Sequence, residues 1–464
     1  MSFQGIETAR LAGAAATVVA YAALCAAVLL NERRKSAADA SRARALAGAD
    51  GGQARALIVA HASQTGAAEQ LAWQTAQALH GSALPVRVAP LGALTPADLA
   101  AASVLIIAST CGEGDAPDSA APFVSRFMDA AAAPSLAGVH YGLLALGDRE
   151  FTNFCAFGRR LDAWLRGCGA QALFERVDVD GLHEHDLARW KHALGRLASV
   201  GDTLAWHTPE RETWRLARRT HLNPGSLGAP VYHLELEPPA GAAAWEPGDL
   251  VQIRVPHAPE QPREYSIAST SAEGRAHLLV RQERRSDGQL GLASGWLTCD
   301  AEVGSDVALN TLAHRNFRLG DNAGRPLILI GNGTGIAGLR AHLSARASRA
   351  GAGARPRHWL LFGERQAAHD FHFRADVEAW HADGTIARLD LAFSRDQPDR
   401  HYVQDRLRAQ PEAVRAWLDD GAAVYVCGSL AGMAGGVDDA LAEIVGRARL
   451  ERLMAEGRYR RDVY

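Results

Sequence analysis

The sequence lacks any cysteine pairing pattern. Its six cysteines, Cys25, Cys111, Cys155, Cys168, Cys299 and Cys427, are scattered over 464 residues without a CxxC pair. That excludes the usual zinc site and a disulfide framework, leaves no metal to expect, and fits a reducing compartment. Excess basic charge is also missing. The 49 Lys and Arg are balanced by 52 Asp and Glu, for a net charge of -3, so the basic face of a nucleic-acid-binding protein is absent. No internal repeat is apparent. Apolar residues make up 48% of the chain, enough for several cores, and the length calls for two to four domains.

Long uncharged runs are rare, and the first is therefore informative. Leu11 to Leu30 carries no charge. Twenty helical residues span about 30 Å, one hydrocarbon core. Arg33, Arg34, Lys35, Arg42 and Arg44 follow it, whereas only Arg10 precedes it, beside Glu7. A cleaved signal peptide would want its positive charges in front and a shorter core. The expectation is a single-pass anchor over 11–30 within an N-terminal segment 1–30. The positive-inside rule then puts the rest in the cytoplasm, at the inner (plasma) membrane. Residues 31–54, rich in Ala, Arg, Ser and Gly, read as a tether.

From 55 to 200 strands and helices alternate, with strands expected at 56–61, 84–89, 103–109, 141–146 and 172–176 and a last helix at 184–199. That is the pattern of a doubly wound parallel sheet, a flavodoxin-like α/β domain. After a hinge at 201–212 the texture changes. Over 213–322, short strands at 231–236, 250–255 and 277–280 separated by Pro and Gly suggest a small antiparallel barrel. From 323 to 464 alternation returns in "PLILIGNGTGIAGLRAHL", "HWLLFG", "RLDLAFS" and "AAVYVCGS", a second parallel α/β domain.

In open α/β sheets, ligands bind beyond the carboxyl ends of the strands. Three loops of the first domain leave such ends. The stretch "SQTGAA", Ser63, Gln64, Thr65, Gly66, Ala67 and Ala68, breaks a strand just before a helix. Its hydroxyls are either an N-cap or part of a phosphate cradle. The second loop brings Thr110, Cys111, Gly112, Glu113 and Gly114. The third brings Leu146, Gly147, Asp148, Phe151, Phe154 and Cys155. A cradle plus two ring-walling loops is what a flavin mononucleotide needs, although each Phe taken alone fits plain core packing.

"SQTG", "GEGD" and "LGDREFTNFC" resemble the FMN domain of the diflavin reductases, a group that includes the sulfite reductase flavoprotein and the NADPH–haemoprotein reductases. The resemblance runs from about residue 56 to 464. "REYSIAS" is similar to the family's FAD motif, which implies that Arg263 contacts the pyrophosphate, Tyr265 packs on the flavin and Ser266 approaches its N5. "GLASGWL" resembles the FAD pyrophosphate loop, with Gly291, Leu292, Ala293 and Ser294. "GNGTGIAG" resembles the NADP pyrophosphate loop, with Gly333 and Thr334. "SRDQPDRHYVQ" resembles the 2′-phosphate site, implying Ser394, Arg395, Arg400, Tyr402 and Gln404. "YVCG" puts Cys427 at the nicotinamide, and "RYRRDVY" supplies Asp462 and the stacking Tyr464. The resemblance implies three cofactors, FMN, FAD and NADPH, and an FR-type FAD domain beside an NADP-binding domain. It implies catalytic roles for Ser266, Cys427, Asp462 and Tyr464.

The sequence departs from the family in places. Cys111 stands where an aromatic is common, Ala67 lacks a side-chain donor, Gly436 and Ser429 stand for aspartates, and Asn332 and Gly338 for prolines. The connecting domain of better-known members is missing, since only Val251 to Pro262 separate "PGDL" from Arg263. The expected activity is that of a membrane-anchored NADPH-dependent diflavin reductase, with electrons running NADPH to FAD to FMN to an acceptor protein, a haemoprotein or a membrane redox partner. The alternatives are a true sulfite reductase flavoprotein subunit and, in another class, a non-catalytic redox assembly module.

Overall fold

The computed structural model describes residues 57–80, 86–112, 114–149, 152–198, 206, 211–285, 287–348 and 357–464. The expected anchor, tether and most of the hinge lie outside them. Among the described residues no helix is long and apolar enough to cross a membrane.

The first sheet is parallel, with strands β1 (Leu57–Ala62), β2 (Val86–Pro90), β3 (Ser103–Ser109) and β4 (His140–Gly147) in the order β2-β1-β3-β4. Both faces are covered, so the inner strands β1, β3 and β4 are near-continuous apolar runs rather than alternating ones. Leu57 and Val59 point into one core with Leu71 and Leu79 of helix 67–80 and with Leu187, Trp190 and Leu194 of helix 184–197. Ile58 and Ala60 point into the other, with Phe157, Leu161 and Leu165 of helix 156–167.

The strand expected at 172–176 is a correction. The fifth position of the sheet is shared by β5 (Gln171–Ala172) and β6 (Val177–Asp180), both paired with β4. The chain between them leaves the sheet because its side chains find other partners. Phe174 packs edge-on against Trp190 at 5.5 Å, and Arg176 bonds Asp162 and Asp178.

The second sheet has twice the strands that were expected. β7 (Glu212–His221), β8 (Val231–Glu237), β9 (Leu250–Val255), β10 (Ala258–Ser266), β11 (Ala276–Arg281) and β12 (Asp306–Leu312) pair in the order β10-β9-β12-β7-β8-β11. A bridge between Ile267 and Leu278 joins the two ends, closing the barrel. Trp214, Leu216, Leu234, Val251, Ile253, Leu278 and Val307 fill it. β9 turns into β10 within two residues, with Ala258 opposite Val255, so no domain is inserted there.

The third sheet is parallel. β13 (Leu327–Asn332), β14 (His358–Glu364), β15 (Ile386–Phe393), β16 (Ala423–Gly428) and β17 (Tyr459–Val463) run in the order β15-β14-β13-β16-β17. Helix 336–348 is buried along Ile336 to Ser344 because it lies between this sheet and the barrel, where Arg340 bonds the Ala268 carbonyl at 2.7 Å and Glu273 at 3.1 Å.

Trp190 tests the first core. It is fully buried and donates to Thr75 at 3.1 Å. Trp190→Ala is expected to cost about 3–5 kcal/mol, read in thermal melting as an earlier transition of the 57–198 unit and an unchanged one for the rest.

Candidate functional site

One cavity of about 1460 Å³ takes its walls from all three sheets. From the first come Gln64, Thr65, Ala67, Thr110, Cys111, Gly112, Leu146, Gly147, Asp148, Phe154 and Cys155. The barrel contributes Arg263, Tyr265, Ser266, Gly291, Leu292, Ala293 and Ser294. The third sheet contributes Gly333, Thr334, Ser394, Arg395, Tyr402, Gln404, Asp462 and Tyr464. Ser63, Gly66, Ala68, Gly114, Arg400 and Cys427 stand off the wall, and Glu113 and Phe151 lie outside the described residues.

At the first loop both readings of "SQTG" have a share. The Ser63 hydroxyl accepts the main-chain N–H groups of Gly66 at 2.8 Å and Ala68 at 3.3 Å, so this side chain caps the helix and is not aimed at the cavity. Gln64 is committed as well. Its amide donates to the Arg461 carbonyl at 2.9 Å and to Asp118 at 3.2 Å, and its oxygen accepts from the Asp118 N–H at 2.8 Å. Thr65 hydrogen-bonds Glu264 of the barrel. What faces the cavity is Thr65 and Ala67 at the head of a 14-residue helix, where the helix dipole favours a phosphate. FMN fits here through the main chain, and the lost side-chain donor at Ala67 matters less for that reason.

The two walling loops are shaped by the backbone. Gly112 has φ +45, and a Cβ there would overlap Leu430 of the third sheet's loop. Cys155, at φ +54, buries its thiol against the carbonyls of Ala145 and Val179. Burial pushes that thiol up to about 12, so it is a packing group and does not present sulfur to a ring. Burial likewise raises the Cys111 thiol. Phe154 does reach the cavity, with the Arg149 guanidinium 4.5 Å from its ring centre.

Arg263 reaches across to Asp148 of the first domain at 3.7 Å, which holds the FAD motif against a flavin-walling loop. In the glycine loop after β13, Gly335 is obligatory, because a Cβ would overlap the Cys427 carbonyl. Gly333, at φ +56, lies under Arg281, which is paired with Glu364. At the far end Arg395 donates to the Ser394 hydroxyl at 3.2 Å. It also hydrogen-bonds Tyr402, lowering that phenol's pKa. Two guanidinium groups and two hydroxyls near one exposed loop suit a ribose 2′-phosphate. Gln404 occupies the space beside Gly436, where a Cβ would come within 3.0 Å of its amide.

The inner end carries the densest chemistry. Parallel pairing sets Asp462 directly beside Cys427. The Ser266 hydroxyl donates to Asp462 Oδ2 at 2.7 Å, and the Cys427 thiol approaches the same oxygen at 3.6 Å. Cys427 is fully buried, and burial pushes its thiol up. The thiol therefore stays protonated and donates, while Ser266 and Asp462 front the cavity. Tyr464, half-exposed, places its hydroxyl 3.2 Å from Thr334 Oγ1, so the last side chain lies across the glycine loop. Among the described residues no group of His, Cys, Asp or Glu is arranged to hold a metal ion.

Sequence reasoning missed Glu264, Arg281, Glu364, Arg461 and Asp118. Arg281 and Glu364 end apolar strands, a position at which a charge signals a ligand-facing edge. The pairing of Arg461 with Asp118, 343 residues away in sequence, leaves no local signal.

Comparison with known proteins places this geometry among related chains. A flavodoxin family model matches residues 59–190, and an oxidoreductase NAD-binding domain model matches residues 329–439. The sulfite reductase [NADPH] flavoprotein alpha-component of Vibrio parahaemolyticus is 27% identical over 94% of this chain and 90% of its own length. Those of Vibrio cholerae (27%, covering 87% and 86%) and Serratia proteamaculans (29%, covering 88% and 89%) are similar too. The first alignment runs over 568 positions, more than the 464 residues of this chain. The relative therefore has residues with no counterpart here, in keeping with the direct turn from β9 to β10.

The Arg395 cluster yields a direct test. A hydrogen bond to a charged group contributes about 1.5–3 kcal/mol, one to two factors of ten. Arg395→Ala is expected to raise the KM for NADPH about tenfold or more and to leave that for NADH nearly unchanged. Equal losses for both coenzymes in steady-state assays would refute the assignment.

Proposed function

Because this chain belongs to the diflavin reductase family, NADPH-dependent flavoprotein oxidoreductases that use FMN and FAD, we propose that it delivers electrons from NADPH through FAD to FMN and then to a membrane-associated acceptor protein. The observation that carries this reading is the single cavity in which the FMN loops, the FAD motif and the Ser266–Asp462 pair face one another. The bound flavins supply the conversion of a two-electron hydride into single electrons. The chain's own residues bind and orient. Arg395, Ser394 and Tyr402 hold the 2′-phosphate end, the glycine loop takes the pyrophosphate, and Ser266 with Asp462 offers a fixed hydrogen-bonding pair where the hydride moves.

The membrane part of the proposal rests on the uncharged run 11–30 and the Arg and Lys cluster after it. With a cytoplasmic catalytic unit tethered by residues 31–54, the natural acceptor is a haemoprotein or redox enzyme of the same membrane. A role as a sulfite reductase subunit is the second reading, favoured by the names of the relatives. Weighing against it are residues of the first relative that have no counterpart here, together with the direct β9–β10 turn where the resemblance led a connecting domain to be expected.

Purified full-length protein is expected to release FMN and FAD in equal amounts on acid treatment, and to fractionate with membranes. A chain starting near Gln53 is expected to be soluble, to reduce ferricyanide with NADPH, and to lose reduction of its membrane acceptor. FAD without FMN would overturn the diflavin reading, and full-length protein in the detergent-free soluble fraction would overturn the anchor.

Tyr464 supplies a separate test. Its ring must leave before a nicotinamide can take its place, and stacking of flat π systems contributes about 0.5–1.5 kcal/mol beyond burial. NADPH offsets that cost through its 2′-phosphate contacts and NADH does not. Tyr464→Ala is expected to raise kcat/KM for NADH far more than for NADPH. An unchanged ratio of the two would show that the ring does not cover the site.

A further inference from the structure

His314 is completely buried, and neither of its ring nitrogens has a hydrogen-bond partner. A buried polar group left unpaired is destabilising, so its presence calls for a reason. The ring lies behind the wall of the cavity. Its Nδ1 faces Asp462 Oδ1 at 4.0 Å, while the other oxygen of that carboxylate takes the Ser266 and Cys427 hydrogens. Its placement is enforced from two sides. The His314 main-chain N–H donates at 3.0 Å to Asp249, a buried carboxylate clamped by two bonds from Arg318 at 2.6 and 2.7 Å. The ring stacks on Phe317, with centroids 5.8 Å apart and planes 20° apart.

We propose that His314 is a positioning residue for hydride transfer, an Nδ1–H donor that closes on Asp462 Oδ1 and fixes the rotation of that carboxylate. Oδ2 then keeps the Ser266 hydroxyl oriented toward the reacting atoms. The 4.0 Å approach is about 1 Å longer than a hydrogen bond. Contacts of this kind are often long without ligand and tighten when the reacting complex assembles. The loop is held by Asp249, so the adjustment falls to the two side chains and not to the main chain. Without the donor, a buried carboxylate with one restrained oxygen can turn about its Cβ–Cγ bond and carry the Ser266 hydroxyl with it. A misplacement of 1 Å at such a site can lower a rate a hundredfold.

The inference rests on the reading that NADPH reduces FAD in this cavity, and the experiment separates the two. In stopped-flow with flavin-loaded protein, wild type is expected to show rapid NADPH-dependent bleaching. His314→Phe keeps the stack on Phe317 but has no donor. It is expected to slow the bleaching about 10- to 100-fold with less than about a twofold change in the KM for NADPH, and to show a larger primary isotope effect with NADPH deuterated at the transferred position. His314→Asn places an amide N–H close to Nδ1 and is expected to recover most of the rate, which plain packing would not predict. Nitrogen NMR of the oxidised, coenzyme-free protein labelled at histidine is expected to show His314 as the Nδ1–H tautomer, with resonances displaced by Asp462→Asn. An unchanged rate in His314→Phe, an Asn variant worse than the Phe variant, or an Nε2–H tautomer would each overturn the proposal. Absence of bleaching in wild type would overturn the reading beneath it, and the proposal with it.

Discussion

The site depends on the register of one edge strand. The last residues of the chain return from helix 447–455 to add β17 beside β16, and that pairing sets Asp462 against Cys427 and Val463 against Gly428. Alternation along the strand then sorts the side chains. Asp462 turns inward to Ser266 and His314, Arg461 turns the other way to Asp118, and Tyr464 leaves the strand end over the glycine loop. A slip of one residue would send Asp462 to the opposite face. Tyr459, buried in the core on one side of the sheet, and the bond from Tyr464 N–H to the Gly428 carbonyl hold the register at both ends.

The same strand ties the two halves of the molecule. The Arg461 guanidinium grips Asp118, its carbonyl accepts from Gln64, and Asn316 of the barrel's exit loop donates to the Ser63 carbonyl at 3.2 Å. Glu264 reaches Thr65 from the barrel, and burial pushes its carboxyl pKa up. The side chains of Gln64 and Thr65 are therefore spent on contacts between domains, while that of Ser63 caps its own helix. The economy follows from a loop of four residues that must both end a strand and meet another domain. Its glycine and its helix amides need no side chain to hold an anion.

Several parts of this arrangement were legible beforehand for local reasons. Leu57, Ile58 and Val59 declare a strand buried on both faces, since no polar residue interrupts them. Glycine at 333 and 335 marks a tight turn before a helix, because Gly333 takes φ +56 and a Cβ on Gly335 would overlap the Cys427 backbone. Phe174 is where such reasoning failed. Apolar and flanked by a strand-like stretch, it reads as sheet, yet its ring prefers the edge of Trp190 in another helix. The barrel strands β7, β10 and β12 were missed because each alternates polar and apolar residues too weakly, or carries prolines that mask the pattern.

The sequence alone determined the order of the elements, the loops that leave carboxyl ends of parallel strands, and the residue types at each ligand-facing turn. These follow from periodicity and from backbone limits that act within a few residues. Only the tertiary structure decided that Ser63 caps its own helix, that Cys155 points into the sheet and that Cys427 sits behind Asp462. It alone brought His314 to that carboxylate and Arg461 to Asp118. Apart from the Ser63 cap, which spans three to five residues, each of these joins groups ten to hundreds of residues apart. The choice is made by strand register and by competition among donors for buried acceptors, and neither exists until the sheets have assembled.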